Sequence, residues 1–254
     1  MENNNLVKEH IIDKIKKSEL FNNPFAHKFI ENIFPIEVYN KLLQSLPDKS
    51  SYVPITETGL VSKNYSPERF VIDLEPKYIE VLENEKKKFL KNLIQILISP
   101  ELFTIISSQF SLTLNNSIKN FTEKEKQSFG TENFEFTARI MLIKDFTKYS
   151  LEAHTDSVNK FITFLFYLPS DDSLIKIGTT LYEKSHKSLT YDKIHYSKDE
   201  TKKLFAPVKT CPFIPNSLLI FPRSNDSFHG VEEINTMQKE RNLLSLNYFF
   251  KKKN

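Results

Sequence analysis

The feature that most constrains this chain is a change of character near its midpoint. Through the first half, apolar residues recur with a helical period. Val7, Ile11 and Ile15 fall at four-residue steps between Leu6 and Phe21, and Val38, Leu42 and Leu43 share a face between Pro35 and Leu46. Pro35 stands where a helix start tolerates it. Lys49 to Glu75 is turn-rich, with one strand-like run from Phe70 to Leu74. Pro76 to Ile98 reads as a long amphipathic helix, or two, and Pro100 to Phe121 as another. Beyond residue 130 come short runs of aromatic and β-branched residues bounded by turn formers: Phe134 to Ile143, Phe161 to Leu168, Thr179 to Tyr182, Ser217 to Phe221 and Leu243 to Phe250. Helices followed by strands predict one α+β domain over residues 1–254, with helical support and a lid loop in 1–130 and the sheet core in 131–254. The polar stretch Lys184 to Lys203 is expected to be a surface insertion or lid.

Composition narrows the function classes. Four glycines in 254 residues argue against glycine-rich phosphate loops. A net charge of +3 does not call for a nucleic-acid partner, and the Lys251 to Lys253 tail reads as a solvated end. The single cysteine, Cys211, permits no internal disulfide and no cysteine-rich metal cluster, which suits a reducing cytoplasm. The first residues lack a signal-peptide pattern, and no apolar run approaches the roughly 18 residues needed to span a membrane. The expectation is a cytoplasmic protein with neither nucleic acid nor membrane as partner, its oligomeric state open.

Chemistry concentrates in two of the six histidines. His10, His186 and His195 lie among polar neighbours and read as surface residues, and His27 lies in an uninformative loop. His154 opens His-Thr-Asp. In an extended chain residues i and i+2 point to one side, so His154 and Asp156 can bind one ion. His229 follows a strand and a turn and can bring a second imidazole from a neighbouring strand. Two histidines and one carboxylate on one face of an octahedral ion leave the other face open for substrate and dioxygen. Each residue alone is equally compatible with a hydrogen-bonded side chain at a strand end; the order of the motifs raises the metal reading. Arg241, opening the last strand, offers a planar fork for a carboxylate, although an arginine there can simply face solvent. If Arg241 points inward, so do Leu243, Ser245 and Asn247, an inward face too polar for a dry core.

In this order the residues from about Phe134 to Phe250 resemble the Fe(II)/2-oxoglutarate oxygenase superfamily, most closely its prolyl-hydroxylase-like branch. The resemblance rests on His154-Thr-Asp156, the strand from Phe161 to Pro169, Gly178-Thr-Thr-Leu-Tyr, Asn216-Ser-Leu-Leu-Ile-Phe-Pro, His229-Gly-Val and Arg241. It implies a double-stranded β-helix, a jelly-roll-like barrel, buttressed by the N-terminal helices. It also implies Fe(II) on His154, Asp156 and His229, with no catalytic residue beyond these ligands. 2-Oxoglutarate would be held by Arg241, with Tyr167 and Thr163 in the same pocket. Dioxygen would be the cosubstrate, and 2-oxoglutarate would be decarboxylated to succinate and CO2 while a C–H bond of a small molecule or amino-acid residue is hydroxylated. Asp156 stands where the halogenases of the superfamily have a small residue, so oxygenation is implied. Arg139, Arg69 and Tyr65 are candidate substrate contacts, against ordinary salt-bridge or surface roles. A metal-dependent hydrolase or isomerase, or a non-catalytic binding module on the same barrel, are the alternatives.

Overall fold

The computed structural model describes residues 4–61, 65–129, 134–186, 193–235 and 240–252. The helices are α1 (Asn4–Lys17), α2 (Ile36–Gln44), α3 (Pro76–Ile79), α4 (Asn84–Leu97), α5 (Pro100–Gln109), α6 (Ser111–Lys119), α7 (Glu123–Phe129) and α8 (Lys198–Leu204). The strands are β1 (Lys28–Glu31), β2 (Val53–Pro54), β3 (Arg69–Asp73), β4 (Phe134–Asp145), β5 (Leu151–His154), β6 (Lys160–Tyr167), β7 (Thr179–Lys184), β8 (Phe205–Cys211), β9 (Ser217–Pro222), β10 (His229–Val231) and β11 (Arg241–Lys252). Among the described residues they form a seven-stranded sheet in the order β1-β9-β6-β11-β4-β3-β2 and a four-stranded sheet in the order β5-β10-β7-β8. All pairings are antiparallel.

From β4 onward the chain alternates between the two sheets, apart from the β7–β8 hairpin, so each inner face is built from strands distant in sequence. The sheets face one another across Tyr167, Leu181, Cys211, Leu219 and Leu243, which share one core cluster. Among the described residues no ladder joins their edges, so the expected barrel takes the form of two opposed sheets rather than one closed sheet.

Parity along the central strands explains why they read as continuous apolar runs. Ile162, Phe164 and Phe166 of β6, and Leu244, Leu246 and Tyr248 of β11, face the helices together with Leu93 and Leu97 of α4 and Ile106 of α5. Each such fully buried side chain contributes about 1.5–3 kcal/mol by leaving water. The sheet also holds the helix layer by polar contacts, since Tyr248 Oη donates to the Leu97 carbonyl at the end of α4 (3.2 Å). The run from Pro100 to Phe121 breaks at Phe110 into α5 and α6, and Ser99 caps the first through Leu102 N (3.4 Å). Asn216, at φ 55°, clips the start of β9 to Phe34 with a reciprocal pair of bonds of 3.0 and 2.8 Å. No single described helix is long and apolar enough to cross a membrane.

The polar insertion is the main departure from the sequence reading. Residues 187–192 lie outside the described part. Beyond them the chain pairs with the free edge of β5: Thr155 N donates to Ile194 O (2.9 Å) and Tyr196 N to Ala153 O (3.2 Å). Tyr196 anchors this segment against Phe205 and Phe228, and Ser197 and Glu200 form a capping box that starts α8.

Candidate metal centre

β5 and β10 are adjacent strands, and their register sets His154 directly opposite His229. The imidazole centroids lie 4.2 Å apart. Asp156 follows β5 by two residues, and one ligand atom from each of the three side chains falls within 4.8 Å of the other two. Each Nδ1 lies 3.0 Å from the backbone carbonyl two residues earlier, Glu152 O for His154 and Ser227 O for His229. A carbonyl can only accept, so both Nδ1 atoms carry the proton and both Nε2 lone pairs are free for a metal. Burial lowers both imidazoles below the ordinary range, so both are neutral at pH 7.

Asp156 is buried, which alone would raise its pKa; Lys160 and the two imidazoles outweigh this and lower it, so it is ionised. Lys160 Nζ donates to Oδ1 (2.6 Å) and Thr163 Oγ1 to Oδ2 (2.6 Å). Thr163 also lies 3.1 Å from Asn247 Oδ1, and Asn247 Nδ2 donates to Ser245 Oγ (2.9 Å). Two neutral imidazoles and one ionised carboxylate converging in a buried site fit a divalent first-row metal.

The ligands stand at one end of a cavity of about 260 Å³ between the sheets, whose walls include Arg241, Leu243, Ser245 and Asn247. Arg241 is six residues from Asn247 along β11, about 20 Å at strand rise. It is 1% exposed, with Nη1 on Asp145 Oδ2 (2.8 Å), Nε on Ile177 O (2.9 Å) and Nη2 on Thr179 Oγ1 (3.4 Å). Asp145 also receives Arg69 as a fork, Nε to Oδ1 (2.6 Å) and Nη2 to Oδ2 (2.8 Å). Cross-strand register explains the cluster, because Arg69, Asp145 and Arg241 are direct partners on β3, β4 and β11. Burial opposes the charge on Arg69, but Asp145 outweighs it and raises this guanidinium above its ordinary range. Arg69 also donates to Tyr65 Oη (3.3 Å) and stacks over Tyr149 at 4.3 Å.

The remaining candidates are distributed as follows. Tyr167 is fully buried against Phe213, and its hydroxyl donates to Thr179 Oγ1 (2.8 Å), so it reaches the Arg241 end through Thr179. Arg139 lines the cavity and pairs through Nε with Asp73 (3.2 Å). Tyr65 lines the Arg69 end. His195 is exposed, as the sequence reading has it, but its position at the cavity was not foreseen. The insertion folds back on β5, so His195 lines the cavity mouth with its ring stacked on His154 at 5.1 Å. No local signal marks that return. Lys160 and Asp145 also went unnoticed: Lys160 stands four residues after Asp156, a spacing read for helices rather than for a strand entrance, and Asp145 depends on register.

Neither a protein-family model nor a curated protein matches the sequence. Among solved structures, the chain is similar to a prolyl hydroxylase from Trichoplax adhaerens in complex with a hypoxia inducible factor oxygen degradation domain peptide fragment. The TM-score is 0.53 at 13% identity, over 97% of this chain and 90% of that one. The two share a fold. A Pseudomonas putida prolyl-4-hydroxylase is also similar, with a TM-score of 0.49 at 12% identity over 97% of this chain and 100% of that one. So is HygX from Streptomyces hygroscopicus, with nickel and 2-oxoglutarate bound, at a TM-score of 0.48 and 10% identity over 88% of this chain and 82% of that one.

Proposed function

We propose that this protein is an Fe(II)- and 2-oxoglutarate-dependent dioxygenase that hydroxylates an unactivated C–H bond of a small molecule or amino-acid residue, with release of succinate and CO2. One observation carries the reading: a single cavity has two imidazoles and a carboxylate converging at one end and a buried arginine fork at the other. A hydrolytic metal site would have no use for that fork. The alternation of β4 to β11 between two sheets is read as a double-stranded β-helix, and residues 1–254 as one working domain.

His154 Nε2, His229 Nε2 and Asp156 would hold the iron, which when bound supplies dioxygen activation and the oxidising power to break a C–H bond. Thr163 holds the Asp156 carboxylate in place. Arg241 would bind the distal carboxylate of 2-oxoglutarate. Thr179 and, behind it, Tyr167 brace that arginine, while Asp145, itself held by Arg69, fixes its orientation, and Tyr65 meets Arg69. Arg139 and His195, at the level of the metal cluster, are the proposed substrate side of the cavity. The sheets exclude water and orient both reactants. Asp156 would fill a ligand position that a halide would need, so the product is expected to be hydroxylated rather than chlorinated. The proposed setting is a reducing cytoplasm, with neither nucleic acid nor membrane as partner.

The test is succinate formation from 2-oxoglutarate by protein supplied with Fe(II) under oxygen, absent in nitrogen and in His154→Ala. Arg241→Ala is expected to raise the 2-oxoglutarate requirement by about two orders of magnitude while Mn(II) binding stays within a few-fold. Succinate formed equally without oxygen, or equal 2-oxoglutarate affinity in Arg241→Ala, would refute the reading.

A further inference from the structure

We infer that the substrate of this site carries an anionic group, a carboxylate or a phosphate, and that Lys160 binds it beside the metal. The inference rests on the function proposed above and adds the substrate class. Its basis is a balance of charge within one cavity. Arg69, Arg139, Lys160 and Arg241 line it as cations, while Asp156 lines it and Asp145 and Asp73 stand behind its wall as carboxylates. The histidines at the metal cluster are neutral.

Most of these charges are balanced locally once the cavity is loaded. At the inner end, two guanidiniums meet Asp145 and the distal carboxylate of 2-oxoglutarate. At the metal cluster, a divalent ion would be balanced by Asp156 and a carboxylate of the cosubstrate. Arg139 keeps Asp73. One cation is left over, and it is Lys160. Among the described residues its carboxylate partner is Asp156 alone, at 2.6 Å, and that carboxylate would also have to serve a divalent ion. The Lys160 side chain is only 21% exposed, so water does not solvate it freely. It opens β6 from the cavity side, across the inner wall from Arg139, whose strand partner Asn247 pairs in turn with Thr163. An anion on the substrate restores neutrality at the place where the bond is to be broken, and it fixes the substrate by a group other than the reacting one.

The experiment loads the protein with Mn(II) and 2-oxoglutarate without oxygen and confirms both by calorimetry before any probe is added. A failure at that stage falls on the proposed function, not on this inference. Probes are then a panel of N-acetyl amino acids, their neutral amides, and matched alkyl phosphonates, read by Mn(II)-induced line broadening of their NMR signals. Acids or phosphonates are expected to bind at least ten-fold better than the amides, and the stronger arm identifies the anion. Lys160→Met should remove that preference and Lys160→Arg should keep it. Mn(II) alone should bind Lys160→Met about ten-fold more tightly, because the ammonium no longer shares Asp156. Equal binding of acid and amide, no binding by any anion, a preference that survives in Lys160→Met, or unchanged Mn(II) affinity in that variant would overturn the inference.

Discussion

Replacing Asp145 by Asn tests the inner end of the cavity without touching the proposed metal ligands. Asp145 is fully buried, and its two guanidinium partners are 13% and 1% exposed at the side chain, so no large solvent screening applies. It accepts three charge-assisted bonds, of 2.6 and 2.8 Å from Arg69 and 2.8 Å from Arg241. Asparagine keeps the shape and one acceptor oxygen but removes the charge and turns an amide N–H2 toward a guanidinium. Removing one partner of a buried ion pair costs about 3–5 kcal/mol. The retained acceptor puts the expected loss near the lower figure, about 3 kcal/mol. For a domain of this size that corresponds to a fall in melting temperature of about 6–12 °C. The variant also makes a distinctive claim about ligands. Its two guanidiniums lack a counter-charge, so 2-oxoglutarate with Mn(II) should raise the melting temperature by more than it does in the unaltered protein. Urea unfolding and thermal melts with and without the ligand pair measure both effects. A loss below about 1 kcal/mol, or a smaller ligand-induced rise in the variant, would show that Asp145 neither bears on stability nor shares its arginines with the cosubstrate.

Three further outcomes follow from the metal end. Both imidazoles are lowered by burial and Asp156 is lowered chiefly by Lys160, so all three groups are already in ligand form at pH 7. Mn(II) binding at pH 7 should therefore release close to zero protons, measured by calorimetry in buffers of different ionisation enthalpy; release of one or two would contradict neutral histidines. The sign for stability follows: histidines with a depressed folded pKa favour folding above the unfolded value of about 6.5, and the metal-free protein should lose stability as pH falls below it. Gly230→Ala should weaken Mn(II) binding by about ten-fold or more with the far-ultraviolet circular dichroism retained. A Cβ there would stand 2.4 Å from Leu151 O, which forces β10, and with it His229, away from β5. Unchanged metal affinity would mean that the strand shifts without moving the imidazole.

What the sequence made legible was local and periodic. The faces of α1 and α2 follow from four-residue repeats, and the strand runs of β3, β4, β6, β7, β9 and β11 from aromatic and β-branched residues bounded by turn formers. His154, Asp156 and His229 were readable because two share an i, i+2 spacing and the third follows its own strand. Besides the short strands β1 and β2 of the larger sheet, β5, β8 and β10 carry no clear run, because they are short or polar. β8 reads Phe-Ala-Pro-Val-Lys-Thr-Cys, and β10 is three residues long. They pack in the smaller sheet, where ladder bonds rather than apolar alternation hold the chain. The Arg69–Asp145–Arg241 cluster and the return of His195 depend on register between segments about 40 to 170 residues apart, for which one sequence carries no signal.

β11 shows how one strand can carry core and site at once. Its even-numbered residues from Leu244 to Phe250 are buried against the helices, and its odd-numbered residues from Arg241 to Phe249 line the cavity. The second set contains Arg241, Ser245 and Asn247, each at most 3% exposed, which in a closed core would be costly without partners. Each has one: Asn247 meets Thr163 and Ser245, and Arg241 meets Asp145. Among the described residues, the buried side-chain polar atoms without a partner are His27 Nε2, Ser107 Oγ and Gln109 Oε1, and none of these lines the cavity. The polar wall is thus satisfied before any ligand arrives. Its orientation costs little at the moment of binding, and the free valences that remain, two Nε2 lone pairs and the unshared part of the arginine fork, are the ones a metal and a dicarboxylate would use.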